Sequence, residues 1–333
     1  MVTLKDVALR AGVTKQTVSN VINKRPVVKP DTRERVERAI AELGYTPNLL
    51  ARGLATGQTM MVGLVMPTIA NPFYAELVED LERCLEEEGY SIALCTTYGQ
   101  PERARRQLEI LKRRYIDGLI LADDGNVGHD VDLLTEMGFP FVLCASETEI
   151  PSGATVVTFD HGQAGYLAAQ HLRDLGHRDI AVVGDLPAHR VRLEGAQRAL
   201  AEASITIAPS RIRATRVSSQ LGGFEAAMGV LTEHPEVTGV MATHDLLALG
   251  VLQAAAELGR RVPEDLSVVG IDDIAAANQT HPAVTTVAFP KQSMARKSTE
   301  FLVHALKSGR QRPGVTWLRP ELVVRESTSR LTA

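Results

Sequence analysis

Aromatic side chains are scarce in this chain: Phe, Tyr and Trp make up 4% of its 333 residues, and only one is tryptophan. Few rings are therefore available to stack on a ligand. There are three cysteines, Cys84, Cys95 and Cys144, set inside apolar patterns and not spaced with histidines as a metal site requires. Buried, reduced thiols are the expectation, with no bound metal and no cofactor. No apolar run approaches the ~18 residues of a membrane span, and the opening "MVTLKDVALRAG" lacks a signal-peptide stretch. These absences point to a soluble, cytoplasmic protein with no membrane partner. Enzyme signatures are missing too: no G-x-G-x-x-G or phosphate-loop pattern follows a strand-like run, and there is neither a G-x-S-x-G elbow nor an H-E-x-x-H. The glycines of "LGGFEAAMG" have no phosphate-loop spacing, and His171 and His177 fit no metal pattern.

What is present is unevenly charged. Residues 1–60 hold ten Lys or Arg against five Asp or Glu, a balance of +5, within a chain whose net charge is -4. The remainder then carries 26 basic against 35 acidic groups, or -9. Such asymmetry suggests a polyanion-binding end on an otherwise acidic globule. A plain basic tail would lack the regular apolar spacing found here.

That spacing predicts three short helices in residues 1–45. Leu4, Val7, Ala8 and Ala11 space the first, Gly12 permits a turn, Thr14 is placed to cap the second, and Val36, Ala39, Ile40 and Leu43 stripe the third. Two helices joined this way form a helix-turn-helix, whose second member enters the DNA major groove. On a wheel of about 100° per residue, Lys15, Gln16, Ser19, Asn20 and Asn23 share one arc and Val18, Val21 and Ile22 another. The aliphatic arc can hold the helix to its neighbours while the polar arc faces base edges. In "TPNLLARGLATGQT", Pro47 and Asn48 start a helix and Gly57 stops it. At about nine residues, weakened by Gly53, it falls short of the ~12–15 needed for marginal stability alone. Packing against something else must order it.

From residue 60 short apolar runs alternate with helical stretches at 73–88, 101–114 and 130–138. The runs are "MMVGLVMP", "YSIALCTT", "DGLILAD", "FPFVLCAS", "ATVVTFD", "DIAVVGD", "SRIRATRV", "TGVMATHD" and "LSVVGIDD". The implied fold class is an all-α helix-turn-helix headpiece plus two doubly wound, parallel-sheet α/β lobes, whose ligand sites lie outside the carboxyl ends of the strands. Those ends supply Pro67, Asp123, Asp160, Asp185, His244 and Asp272. Any one of them can equally cap the next helix, but their repetition around one cleft favours a shared site.

At this point the chain resembles the lactose/galactose repressor (LacI/GalR) family of bacterial transcription regulators. The likeness is carried by "TLKDVALRAGVTKQTVSNVIN", "TRERVERAIAELGYTPNLLARGL", "GLVMPTIANPFY", "DGLIL", "HLRDLGHRDIAVVGD", "ATHDLLALGVLQAAAELGRRVPEDLSVVGIDD" and "ELVVRES". It implies a homodimer, or a dimer of dimers, in which two headpieces read near-palindromic double-stranded operator DNA. Residues matching Lys15, Gln16 and Asn20, with Asn23 on the same arc, would reach the major groove. Thr14, Thr17 and Ser19 are candidates for phosphate contacts, with capping as the alternative. The segment 48–56 matches the family's hinge helix, and Leu54 the side chain that wedges between base pairs in the minor groove.

The resemblance also implies two periplasmic-binding-protein-like lobes closing on a small effector, often a sugar or nucleobase. The expected division is 1–47 for the headpiece, 48–59 for the hinge helix and linker, 60–159 plus 290–318 for one lobe, and 160–289 plus 319–333 for the other. By motif, Asp272 and Arg192 match the paired effector ligands, while Asp160 and Phe73 match further pocket positions; an interlobe salt bridge is the alternative for the pair. Asp123 joins this set as a strand end and Phe159 as one of the few rings able to stack, beside Phe73 and Tyr74. His244 stands where many relatives have Asn or Ser, which opens the way to pH sensitivity. Trp317 reads as a packing residue. The function expected is an effector-controlled repressor with a carbohydrate-like effector, cytoplasmic and on the nucleoid when bound to DNA. The alternatives are a solute-binding protein, which would have no use for a headpiece, and a sugar-modifying α/β enzyme, which would need a catalytic set.

Overall fold

A computed structural model describes residues 2–22, 25–45, 58–113, 116–122, 131, 134–135, 138–147, 152–186, 188–215 and 218–331. The chain divides into two compact units, Met1–Met60 and Met61–Ala333.

In the first unit three helices, α1 (Leu4–Ala11), α2 (Lys15–Ile22) and α3 (Pro30–Leu43), enclose a small core of Val7, Ala8, Ala11, Val18, Val21, Val36 and Ala39. Local chemistry sets their ends. The Asp6 carboxylate accepts from the Thr3 amide at 2.8 Å, closing the start of α1, and Gly12 at φ 65° ends it in the left-handed region that suits glycine. Thr14 Oγ1 accepts from the Thr17 amide at 3.1 Å, capping α2 as its position predicts. From α3, Arg35 donates to the Ala11 carbonyl at 3.2 Å and Arg33 to the Arg25 carbonyl at 2.9 Å, so cations meet free carbonyls beyond or at the ends of the two preceding helices.

The second unit holds two six-stranded sheets. The first runs in the order β11-β5-β4-β3-β1-β2, from β1 (Met61–Met66), β2 (Ser91–Thr96), β3 (Gly118–Ala122), β4 (Phe141–Cys144), β5 (Thr155–Phe159) and β11 (Gly314–Leu318). The second runs β12-β10-β9-β8-β6-β7, from β6 (Ile180–Gly184), β7 (Ile212–Ala214), β8 (Gly239–Ala242), β9 (Ser267–Asp272), β10 (Thr285–Ala288) and β12 (Glu321–Val323). The chain therefore passes between sheets three times, after β5, after β10 and after β11. Helices α4 (Pro72–Glu87), α5 (Pro101–Arg113) and α11 (Lys291–Ser308) pack with the first sheet. With the second lie α6 (His161–Asp174), α7 (Arg190–Ala201), α8 (Gln220–Glu233), α9 (Asp245–Glu257) and the short α10 (Ala275–Gln279). Helices α6 and α7 touch backbone to backbone. A Cβ at Gly165 would fall on the Arg192 carbonyl, and one at Gly195 on the Gly162 carbonyl.

Several expectations need correction. The second sheet is not wholly parallel, because β12 pairs antiparallel with β10 at its edge. "SRIRATRV" yields only the three-residue β7, and the helical stretch expected at 130–138 lies mostly outside the described residues. Trp317 is 57% exposed on the edge strand β11 and does not fill a core. Of the cysteines, Cys144 is buried while Cys84 and Cys95 are half-buried. Among the described residues no helix is long and apolar enough to cross a membrane.

Candidate functional site

The first candidate surface is the polar side of α2. Val18 and Val21 are buried, whereas Thr14, Lys15 and Gln16 are exposed and Thr17, Ser19 and Asn20 partly so. Gln16 Nε2 donates to Asn20 Oδ1 at 3.2 Å, and the Thr14 and Thr17 hydroxyls lie 2.9 Å apart. No acidic residue occupies the first turn of α2, so its positive end is left uncompensated for an anion. Asn23 and Leu54 lie outside the described residues.

The second is a cleft of about 130 Å³ between the two sheets. Strand ends build it, as doubly wound topology dictates. Pro67 and Thr68 follow β1, Asn71, Phe73 and Tyr74 begin α4, and Ala145 and Glu147 follow β4. Facing them are His161 at the start of α6, Asp185, Ala188 and His189 between β6 and α7, Arg192 on α7, Ser218 before α8, His244 before α9 and Asp272 at the end of β9.

Arg192 is its centre. Its Nε donates to Glu147 Oε2 at 3.0 Å and its Nη2 reaches the same oxygen at 2.9 Å, while Nη1 donates to the Thr243 carbonyl at 2.6 Å and lies 3.4 Å from Asp272 Oδ1. The guanidinium also sits over the Phe289 ring, 5.2 Å from its centroid. Burial pushes the Glu147 carboxyl up to about 7 and Asp272 up to about 6, with Arg192 opposing both shifts. Burial and the neighbouring Arg192 charge hold His244 down at about 3 and His161 and His189 well below the ordinary histidine range. All three imidazoles are neutral at physiological pH.

The backbone around Asp272 is strained: its φ is 119° and that of Asp273 is 53°. Surrounding groups hold the turn in place. Lys291 Nζ donates to the carbonyls of Asp272 at 2.9 Å and Asp273 at 2.8 Å, and buried Asp245 accepts from the Ile274 amide at 3.0 Å. The side chain of Asp272 thus faces the cleft from a position that ordinary strand geometry would not supply.

Of the residues singled out in the sequence, Phe73, Arg192, His244 and Asp272 line this cleft, with the strand ends Pro67 and Asp185. Two described residues do not join them. Asp160 is exposed and its carboxylate caps α6, accepting from the Gln163 amide at 2.8 Å; the next residue, His161, turns inward instead. Phe159 is wholly buried behind the site, stacked on Phe289 at 4.2 Å, so it supports the floor and offers no face to a ligand. Asp123 lies outside the described residues. His244 carries no pH sensitivity near neutrality. Its Nδ1 accepts from the Leu247 amide at 3.4 Å, which leaves the proton on Nε2, 2.6 Å from Ser218 Oγ. Arg192 and Asp272 do not bridge the lobes, since both belong with the second sheet; contacts that do cross include Arg192 to Glu147 and His161 to Glu147. Glu147, His161, His189, Asn71 and Ser218 were not foreseen. For Glu147 a signal existed, because it follows the strand run "FPFVLCAS" as the other pocket residues follow theirs.

Comparison with known proteins follows the same division. A family model described as "Bacterial regulatory proteins, lacI family" matches residues 3–48, and one described as "Periplasmic binding protein-like domain" matches residues 169–328. The chain is 35% identical to the HTH-type transcriptional repressor PurR of Haemophilus influenzae (strain PittEE), over 98% of each chain. Among solved structures it is similar to the lac repressor dimer bound to operator and the anti-inducer ONPF, with a TM-score of 0.88 at 29% identity, covering 98% of this chain and 99% of that one. It is also similar to the transcriptional regulator CelR in complex with cellobiose, with a TM-score of 0.73 at 33% identity, covering 98% of this chain and all of that one. These relatives are regulators of transcription, not enzymes.

Proposed function

This chain belongs to the lacI family of bacterial regulatory proteins, and from that premise we propose how its own residues regulate transcription. A homodimer, alone or as a dimer of dimers, sets two headpieces on a near-palindromic operator, and a small carbohydrate-like effector bound in the cleft controls their grip. Lys15, Gln16, Asn20 and Asn23 read base edges in the major groove, while Thr14, Thr17 and Ser19 position the helix on phosphates. Leu54 is assigned the minor-groove wedge within a hinge at 48–59. The headpiece is taken as residues 1–47 and the lobes as 60–159 with 290–318 and 160–289 with 319–333. The protein acts in the cytoplasm, on the nucleoid when bound.

The observation that carries this reading is the two-sidedness of α2: an aliphatic face committed to the core, a hydrogen-bonding face left to solvent. In the cleft, Arg192 holds the Asp272 and Glu147 carboxylates in place, and these supply acceptors suited to adjacent hydroxyls. A ligand that touches both lobes favours the closed form by its differential affinity, and closure is then felt by the DNA-binding end. Selection of operators from random duplexes tests the first part, with one recovered half-site expected twice in inverted order. Protein that enriches no sequence refutes it. A thermal-shift screen of sugars and sugar derivatives tests the second, because a ligand that binds only the native state raises its melting temperature. Gel shifts with the stabilising compound must then change operator affinity.

A further inference from the structure

We propose that Glu147 is the specificity-determining residue of the cleft: a tethered carboxylate that occupies the Arg192 guanidinium from the opposite lobe, so that the cleft takes an uncharged polyol and rejects ligands bearing a carboxylate or phosphate. The inference rests on the reading of the cleft as the effector site.

A guanidinium has five N–H donors in one plane and no acceptor, and an unoccupied edge of it is the usual seat for an anionic ligand. Here no edge is unoccupied. Nε and Nη2 both reach Glu147, Nη1 reaches the Thr243 carbonyl and Asp272, and Nη2 also lies 3.3 Å from His161 Nδ1. The Arg192 and Glu147 side chains are 8% and 6% exposed, so water screens this pair little. Glu147 reaches it from the loop after β4, in the first lobe, while Arg192 stands on α7 with the second sheet. The carboxylate therefore takes the place that the acidic group of a ligand would take.

Charge counting points the same way. Two buried carboxylates, Glu147 and Asp272, face one guanidinium, the three cleft imidazoles are neutral, and Asp185 adds a third acid to the lining. An incoming carboxylate or phosphate would have to expel Glu147 from Arg192 and leave it unpaired beside Asp272, where it must either bear a like-charge contact or take up a proton, a cost that grows with pH. Uncharged hydroxyls meet no such penalty. Each carboxylate has about four lone-pair sites, more than Arg192 uses, and can accept further O–H donors. His161 Nε2, buried and without a partner among the described residues, offers one more polar contact. At about 130 Å³, the cavity is well below the ~300–1,000 Å³ of typical ligand pockets. A small polyol is the matching class.

If Glu147 is a built-in anion, a free carboxylate should replace it. In full-length Glu147→Ala, acetate measured against chloride at equal ionic strength should raise the melting temperature and bind at least about tenfold more tightly than it does to the wild type. Should the alanine variant fold only in acetate, recovery on refolding reads the same way, and Glu147→Ser gives a second measurement. On the wild type, gluconate and glucose 6-phosphate should produce no greater shift than chloride. Acetate that fails to distinguish variant from wild type overturns the proposal, as does gluconate or glucose 6-phosphate stabilising the wild type. The acetate measurement reports on Arg192 whether or not the cleft governs DNA binding. Whether it does is tested separately by the effector's action on operator gel shifts.

Discussion

Replacing Arg192 with methionine should destabilise the two-lobed body by an amount that grows with pH. The substitution keeps a long apolar stem but removes the one guanidinium facing Glu147 and Asp272. Removing one partner of a buried ion pair costs about 3–5 kcal/mol, because the other charge is left in low dielectric. Two carboxylates are stranded here, but both can escape the penalty by taking up a proton. Burial already raises Glu147 to about 7 and Asp272 to about 6 with Arg192 in place, and its loss raises them further. A carboxyl whose folded-state value is raised contributes stability that is complete below its ordinary value and is lost as pH climbs through the folded value. One proton's difference is about 1.4 kcal/mol per pH unit. The deficit of Arg192→Met relative to wild type should therefore be about 1–2 kcal/mol at pH 5.5, where both acids are mostly neutral, and about 3–5 kcal/mol at pH 8. Urea unfolding followed by fluorescence measures it directly, since the chain's single tryptophan, Trp317, lies on β11 of the body. Operator binding serves as a control that residues 1–60, a separate compact unit, stay folded. A deficit that is the same at both pH values, or larger at pH 5.5, refutes the reasoning.

In the headpiece, Gln16→Ala and Asn20→Ala should each relax base choice at particular operator positions by about 1–3 kcal/mol. Because Gln16 donates to Asn20, their effects in operator selection should be less than additive; strict additivity would mean the two act apart. Leu54→Ala should weaken specific operator binding far more than non-specific binding, and circular-permutation gel shifts should show a bent operator only with the wild type. Asp160→Ala should lose about 1 kcal/mol of stability from the α6 cap while leaving ligand affinity unchanged; a weakened ligand isotherm would return Asp160 to the site.

Period and charge make the layout of the chain legible in its sequence. Apolar spacing placed Val18 and Val21 inside and Gln16 and Asn20 outside, and the strand-like runs marked the ends from which Pro67, Asp185, His244 and Asp272 meet. Arg192 came only from family likeness, since nothing in a helix's periodicity says that its arginine will be buried. Glu147 escaped notice because its role depends on a partner 45 residues away on the other lobe. Asp160 misled for a local reason. At a helix start the acid caps and the next side chain turns inward, so a shift of one residue exchanges a surface carboxylate for the cleft's His161. Trp317 was misjudged because strand patterning does not say whether a strand lies at a sheet's edge.

The backbone contact between α6 and α7 has a bearing on how such a protein can diversify. With Gly165 against the Arg192 carbonyl and Gly195 against that of Gly162, even a single added methyl would prise the helices apart. One jaw of the cleft is thereby cast in place, and mutation cannot shift Arg192 by small steps. The opposing jaw is assembled from side chains on loops and a helix start, Glu147, Thr68 and Tyr74 among them, and among the described residues it carries no such glycine-locked backbone contact. A library meant to teach this scaffold a new signal molecule belongs on that jaw, with the glycine-locked pair left untouched as the fixed reference against which new contacts are selected.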